Sequence, residues 1–277
     1  MFIYKKWENF CRELDQLNVH SITAASLIDK SDILNFIILK HDVETNPIKS
    51  LKMAKIESKY GHKGSYYVQA YLLNNIKNID ILKKISELGH EVSYHHDVMD
   101  SNSGDMISAD IEFFENLNKF RLHGFEIKTV CQHGNPVIKR QNYYSNRDFF
   151  RNNNIAEKYN DIAEIMWNFK EKSGYDYIYV SDSGYNWQII YNPENNDITN
   201  SDDKNIQIGE INNLVNIIKE EKNIVISTHP HRWQSNVFVY YMRIYIFAII
   251  KKIVKFMIKI PILNKIFSKY YYIAKKI

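Results

Sequence analysis

Apolar positions recur at two spacings along most of this chain, and the switches between them predict an order of elements. Trp7, Phe10, Cys11 and Leu14 sit three and four apart, Leu17 follows, and residues 1–30 read as amphipathic helix. Ile33 to Leu39 is a short apolar run rich in isoleucine, the pattern of a buried parallel strand. Asn46-Pro47 opens a helix carrying Leu51, Ala54 and Ile56, because proline is pre-set for the first helical turn. Gly61 and Gly64 bracket the turn into a second strand over 65–69. Ile79, Leu82 and Ile85 mark a helix over 76–88 that Gly89 can cap, and a third strand follows over 90–96. A helix over 105–122 leads to a fourth strand at 128–132.

Beyond that point the pattern weakens. Residues 141–160 read as loop with helical turns, 175–180 as a strand, 193–205 as an exposed or mobile loop, 209–221 as a helix and 223–227 as the last strand. Repeated strand–helix units favour an α/β architecture with a parallel sheet, open or closed into a barrel, and with its chemistry at the C-terminal ends of the strands.

Composition adds limits. A chain of 277 residues, 45% hydrophobic and 25% charged, can bury the core of one large α/β domain plus a tail. The two cysteines give no disulfide framework, and Cys131, inside a strand, reads as a small hydrophobe. The first residues lack the apolar centre of a signal peptide, so a cytoplasmic location is expected. The net charge of +4 is unevenly spread: residues 238–277 hold nine Lys and Arg and no acid, leaving −5 for the rest. A mildly acidic body argues against a nucleic-acid partner and gives the basic tail a role of its own.

The strand ends carry the chemistry. His41-Asp42-Val43-Glu44 closes the first strand, Gly89-His90-Glu91 through His95 spans the third, and His133-Gly134-Asn135-Pro136 closes the fourth. Asp182-Ser183-Gly184 and His229-Pro230 follow the last two. This ordered set, spread over residues 33–233, resembles the polysaccharide deacetylase family, metal-dependent enzymes that remove N-acetyl groups from sugars. The resemblance implies a distorted (β/α) barrel with fewer than the usual eight strands. It also implies a metal-binding aspartate at Asp42, preceded by a catalytic base whose position is held here by His41. His95 matches the first of two metal-binding histidines spaced four apart, but the second falls on Met99, a poor ligand for a hard ion. His133 is the leading candidate to complete the set and Asp97, on the strand face of His95, the next.

Amide hydrolysis of this kind needs a Lewis acid with an open position, here one divalent ion, with zinc expected, which lowers the pKa of its water from about 15.7 to near 7. A base must take the water proton and an acid must protonate the leaving amine. Glu44, two residues from Asp42 and on its face, suits the base, and His229 suits the acid. Asp182 either orients and charges that histidine or closes a tight turn through its own side chain. Trp187 and Trp233 follow two of the motifs and could wall a sugar ring, although aromatics near strand ends also serve as packing.

Three regions are expected: an N-terminal helical segment over 1–32, a deacetylase-like barrel over 33–236, and a basic amphipathic tail over 237–277 that associates with an anionic membrane surface. The run from Val237 to Ile250 is too short to span a bilayer, which takes about 20 residues. The functional expectation is a peripherally membrane-associated hydrolase that removes an N-acyl group from a sugar or glycan precursor of a surface polysaccharide or glycolipid. The alternatives are a hydrolase of another carbon–nitrogen bond and a sugar-binding protein with a degenerate site.

Overall fold

The computed structural model describes residues 1–29, 33, 35–135, 138, 140–182, 186–190, 206–221 and 223–257, with side chains described to 246 and at 249. Pro136, Ser183, Gly184 and the expected loop at 193–205 lie outside these residues, as does the tail beyond 257. Two helices, α1 (Tyr4–Gln16) and α2 (Ala24–Asp29), precede the central strand β1 (Phe36–Val43). Strand–helix units follow: α3 (Pro47–Lys59), β2 (Gly64–Val68), α4 (Ile76–Glu87), β3 (Glu91–His96), α5 (Val98–Ser101), α6 (Met106–Leu122) and β4 (Thr129–Gln132). Short elements come next: α7 (Asp148–Arg151), α8 (Asn153–Lys158), β5 (Ala163–Glu164), α9 (Phe169–Ser173), β6 (Ile178–Ser181), β7 (Trp187–Ile190) and β8 (Ile206–Gly209). The order closes with α10 (Asn212–Glu220), β9 (Asn223–Thr228) and α11 (Val237–Met257).

The strands form one nine-membered sheet in the order β5-β4-β3-β2-β1-β9-β6-β7-β8. From β5 to β6 every pairing is parallel, and β7 and β8 add an antiparallel edge. Among the described residues no ladder joins β5 to β8, so the expected α/β class and parallel sheet are present without a closed barrel. The helix expected over 1–30 is two helices, separated by a turn in which Asn18 takes φ +56°, a left-handed conformation that asparagine tolerates. β1 runs four residues past the apolar stretch, because the polar side chains it carries into the interior find partners there.

Local signals account for the helix ends. Asn75 Oδ1 accepts the Lys77 N–H and Asp105 Oδ2 accepts the Ser108 N–H, capping α4 and α6. Gly89, at φ +84°, takes the left-handed turn that releases the chain from α4 into β3. The helices bury two apolar clusters against the outer face of the sheet, one around Tyr94, Phe113 and Phe120 and one around Trp7, Trp187 and Trp233. A third cluster fills the inner face below the site, with Ile38 of β1, Tyr67 of β2, Cys131 of β4, Ala163 of β5, Tyr179 of β6 and Val225 of β9.

Candidate functional site

Side chains on a strand alternate between faces, so β1 presents Lys40, Asp42 and then Glu44 on one side and Leu39, His41 and Val43 on the other. The first three reach the inner face. Lys40 Nζ lies 2.6 and 2.7 Å from the two oxygens of Asp42 and donates to Ser227 Oγ of β9 at 3.1 Å. Burial alone would raise the Asp42 carboxyl, but the Lys40 ammonium against it outweighs that and holds the group below its ordinary value. Burial would lower the Lys40 ammonium, and the Asp42 charge reverses that and holds it well above the usual lysine range.

His133, just after β4, brings Nε2 to 3.2 Å from Glu44 Oε1. β4 lies three places from β1, roughly 14 Å in a flat sheet, where side chains standing off the surface would not meet. The contact reports a sheet that curls toward this face. His95 of β3 completes the group, its ring at 5.2 Å from that of His133. Its Nδ1 donates to the Cys131 carbonyl at 3.0 Å, which fixes the tautomer and leaves the Nε2 lone pair for the site. Burial pushes the His95 imidazole down to about 3, so it stands neutral, the form that binds a metal.

One ligand atom from each of Glu44, His95 and His133 lies within 4.8 Å of the others, a spacing and donor set that fit a divalent cation with positions left open. A second grouping of the same spacing joins Asp42, His95 and Cys131. It is the poorer cradle, since Lys40 already occupies the Asp42 carboxylate and burial pushes the Cys131 thiol well up.

Across from these, His229 Nε2 stands 3.8 Å from Asp42 Oδ2 and 3.9 Å from Glu44 Oε1. Its Nδ1 is 2.6 Å from Asp182 Oδ1, an oxygen that also accepts from Arg232 Nη1 at 2.8 Å. The other Asp182 oxygen accepts the Thr228 hydroxyl at 2.7 Å and the His229 backbone N–H at 2.9 Å. Burial would raise this carboxyl; Arg232 and His229 outweigh it and hold it far below the carboxylate range. Asp182 is therefore a fixed anion that aims a histidine into the site.

Of the residues read from the sequence, Asp42, Glu44, His95, His133, Asp182 and His229 meet at one end of the sheet. Trp187 and Trp233 do not. Both are buried on the outer face against Phe2, with Trp233 also on Trp7, because the N-terminal residues fold back over them. They wall no cleft. His41 likewise faces away, stacked on Tyr66 at 4.3 Å with its Nε2 2.9 Å from Glu57 Oε1, out of reach of any chemistry on the inner face. Met99 is buried in the outer cluster, and Asp97 belongs to neither ligand grouping, taking Gln69 Nε2 at 3.5 Å.

Lys40 and Arg232 were not singled out from the sequence. The alternation Lys-x-Asp-x-Glu in β1 is a signal that could have found the first, while the second acts through a turn that only the fold brings to Asp182. Compared with family models, curated proteins and solved structures, the chain matches none.

Proposed function

We propose that the protein is a metal-dependent hydrolase that removes an N-acyl group, acetyl in the first instance, from a sugar used in surface-polysaccharide or glycolipid synthesis. The observation that carries this reading is the meeting of Glu44, His95 and His133 with the His229–Asp182 pair on one curled face. The curl of the sheet supports the incomplete barrel of the polysaccharide deacetylase type as the parent fold.

A divalent ion held by Glu44, His95 and His133 would supply Lewis acidity at the amide carbonyl. The remaining steps belong to the chain. Glu44 joins the ion-holding group, and His229 becomes the proton carrier. With Nδ1 engaged by Asp182, the free Nε2 takes a proton from the attacking water and returns it to the leaving amine nitrogen as the carbon–nitrogen bond breaks. The acyl group leaves as a carboxylic acid. Asp182 keeps the imidazole oriented and stabilises its charged form, and Lys40 anchors Asp42 beside it. The Lys40–Asp42 pair is also the feature that favours a sugar-binding protein without turnover, since it neutralises a carboxylate that the family uses.

Two measurements test the proposal. Protein purified without chelator should contain one equivalent of a divalent metal by elemental analysis, and His95→Ala, His133→Ala and Glu44→Gln should each lose most of it. Wild-type protein should release acetate from N-acetylated sugars. Full metal content in both histidine variants would refute the site, whereas metal and sugar binding without acetate release would select the non-catalytic reading.

A further inference from the structure

α11 is fastened to the body along one side and bare along the other. Asn236 Oδ1 accepts the Val239 N–H at 2.8 Å and caps the helix start. Tyr240 is buried, and Ile244 packs with it, in the outer cluster that holds Phe2, Trp187 and Trp233. On the opposite side Phe238, Met242, Tyr245 and Ile249 follow one another at helical spacing, flanked by Tyr241 and Ile246. Phe238 is 74% exposed, Tyr245 67% and Met242 44%, and what sets these side chains apart from other exposed apolar residues such as Ile107 and Leu122 is that they line up on one helix. Single exposed apolar residues need no explanation, but a continuous row on one helix does.

Charge identifies the occupant. Residues 238–277 carry nine Lys and Arg and no acid, against −5 for the rest of the chain. A second copy of the chain seated on this face would bring two such tails together. An anionic bilayer surface is attracted to them, and tyrosines suit the boundary between headgroups and acyl chains. The helix does not cross: among the described residues none is long and apolar enough, and α11 itself contains Arg243, Lys251, Lys252 and Lys255. A helix with an apolar row, interspersed cations and no acid is built to lie in the interface plane.

We infer that α11 lies on an anionic bilayer surface, with Phe238, Met242, Tyr245 and Ile249 in the headgroup–acyl boundary, and that the positive charge of residues 238–277 strengthens the attachment. The helix leaves the body at the rim of the candidate site: Lys49 Nζ binds the carbonyls of His231 and Trp233 at 2.7 and 2.9 Å, tying the segment between His229 and α11 to the start of α3. The membrane would therefore meet the protein near the strand ends. This surface stands whether or not the site hydrolyses an amide.

Flotation of the full-length protein tests it. Vesicles of phosphatidylcholine mixed with phosphatidylglycerol should carry the protein, and vesicles of phosphatidylcholine alone should carry little. Added salt should weaken the attachment without abolishing it, because apolar burial is not screened. Phe238→Glu/Tyr245→Glu should lower partitioning roughly tenfold or more, with an unchanged melting temperature since both side chains are exposed. Lys251→Glu/Lys252→Glu/Lys255→Glu should lower it chiefly at low salt. Failure of the full-length protein to float with anionic vesicles, or wild-type flotation of both variants, would overturn the inference. So would a dimer in solution that Phe238→Glu/Tyr245→Glu dissolves while vesicle binding is absent.

Discussion

At the scale of single residues, the group that most constrains the chemistry is His229. Asp182 receives four donors, from His229 Nδ1, the His229 backbone N–H, the Thr228 hydroxyl and Arg232, and so cannot leave its place or take up a proton near neutral pH. The imidazole it holds can rotate little and keeps Nε2 toward Asp42 and Glu44. His229→Ala should therefore retain the metal and lower kcat by roughly 10²- to 10⁴-fold, the usual contribution of a general acid–base group. Asp182→Asn should also keep the metal but reverse the favoured tautomer, with a kcat loss of similar order and little change in KM. Steady-state kinetics beside elemental analysis reads both. Metal loss in His229→Ala would make that residue a ligand instead. Both residues were legible as a pair at two strand ends; the Arg232 and Thr228 support was not, because it depends on how the turn after β9 folds over Asp182.

The element that organises the site is β1, and it shows what a pattern can and cannot reveal. Its apolar start is visible in the sequence, and period-two alternation separates Asp42 and Glu44 from His41 once the strand is known to continue. The run on to Glu44 is visible too, but what holds its polar end is not, since Lys40 finds Asp42 and Ser227 of β9 and His41 finds Glu57 of α3 only in the fold. β5, β7 and β8 escaped notice for a different reason: strands of two to four residues at the edges of a sheet carry too few positions to show a period. For the two tryptophans the sequence leaves a sugar wall and packing both open, because the cover that decides for packing, Phe2 and Trp7, lies far away in sequence. Removing one member of the buried β1 pair has a defined cost. Lys40→Met should destabilise the protein by about 3–5 kcal/mol, because it leaves the Asp42 charge buried and unpaired. Adding Asp42→Asn should recover much of that loss. Urea unfolding of the two variants checks this, and equal stability of Lys40→Met and wild type would mean that water already reaches Asp42.

For the molecule as a whole, buried imidazoles set the response to acid. His62 accepts the Ser21 N–H on Nδ1 at 3.2 Å and bonds the Cys11 carbonyl through Nε2 at 2.9 Å, while His90 accepts the Gly64 N–H at 2.9 Å and bonds the Ala54 carbonyl at 2.9 Å. A protonated ring would have to give up the accepted bond, and burial lowers both pKa values below 6.5, as it lowers His231 to about 3. Below about 6.5 each ring takes a proton on unfolding that the fold resists, until the pH reaches the ring's lowered value in the fold. The stability these rings contribute is complete above about pH 6.5 and falls on acidification by up to about 1.4 kcal/mol per pH unit for each ring while the pH lies between 6.5 and its lowered value in the fold. Glu57 adds a later loss: burial would raise it, but His41 and the Tyr66 hydroxyl outweigh that and hold it at about 2, so its contribution disappears as the pH falls from 4.5 toward 2. Glu164 opposes the histidines. Burial raises it to about 7, so it keeps a proton in the fold that the unfolded chain releases above 4.5, and the stability it contributes is lost as the pH rises toward 7. Urea midpoints should therefore drop between pH 6.5 and 5, and Glu164→Gln should steepen the drop by up to about 1.4 kcal/mol per unit over that window by removing the counterweight. A Glu164→Gln protein with the wild-type slope would show that this carboxyl is ionised in the fold, and a flat profile in Glu164→Gln would show that the buried rings already carry protons.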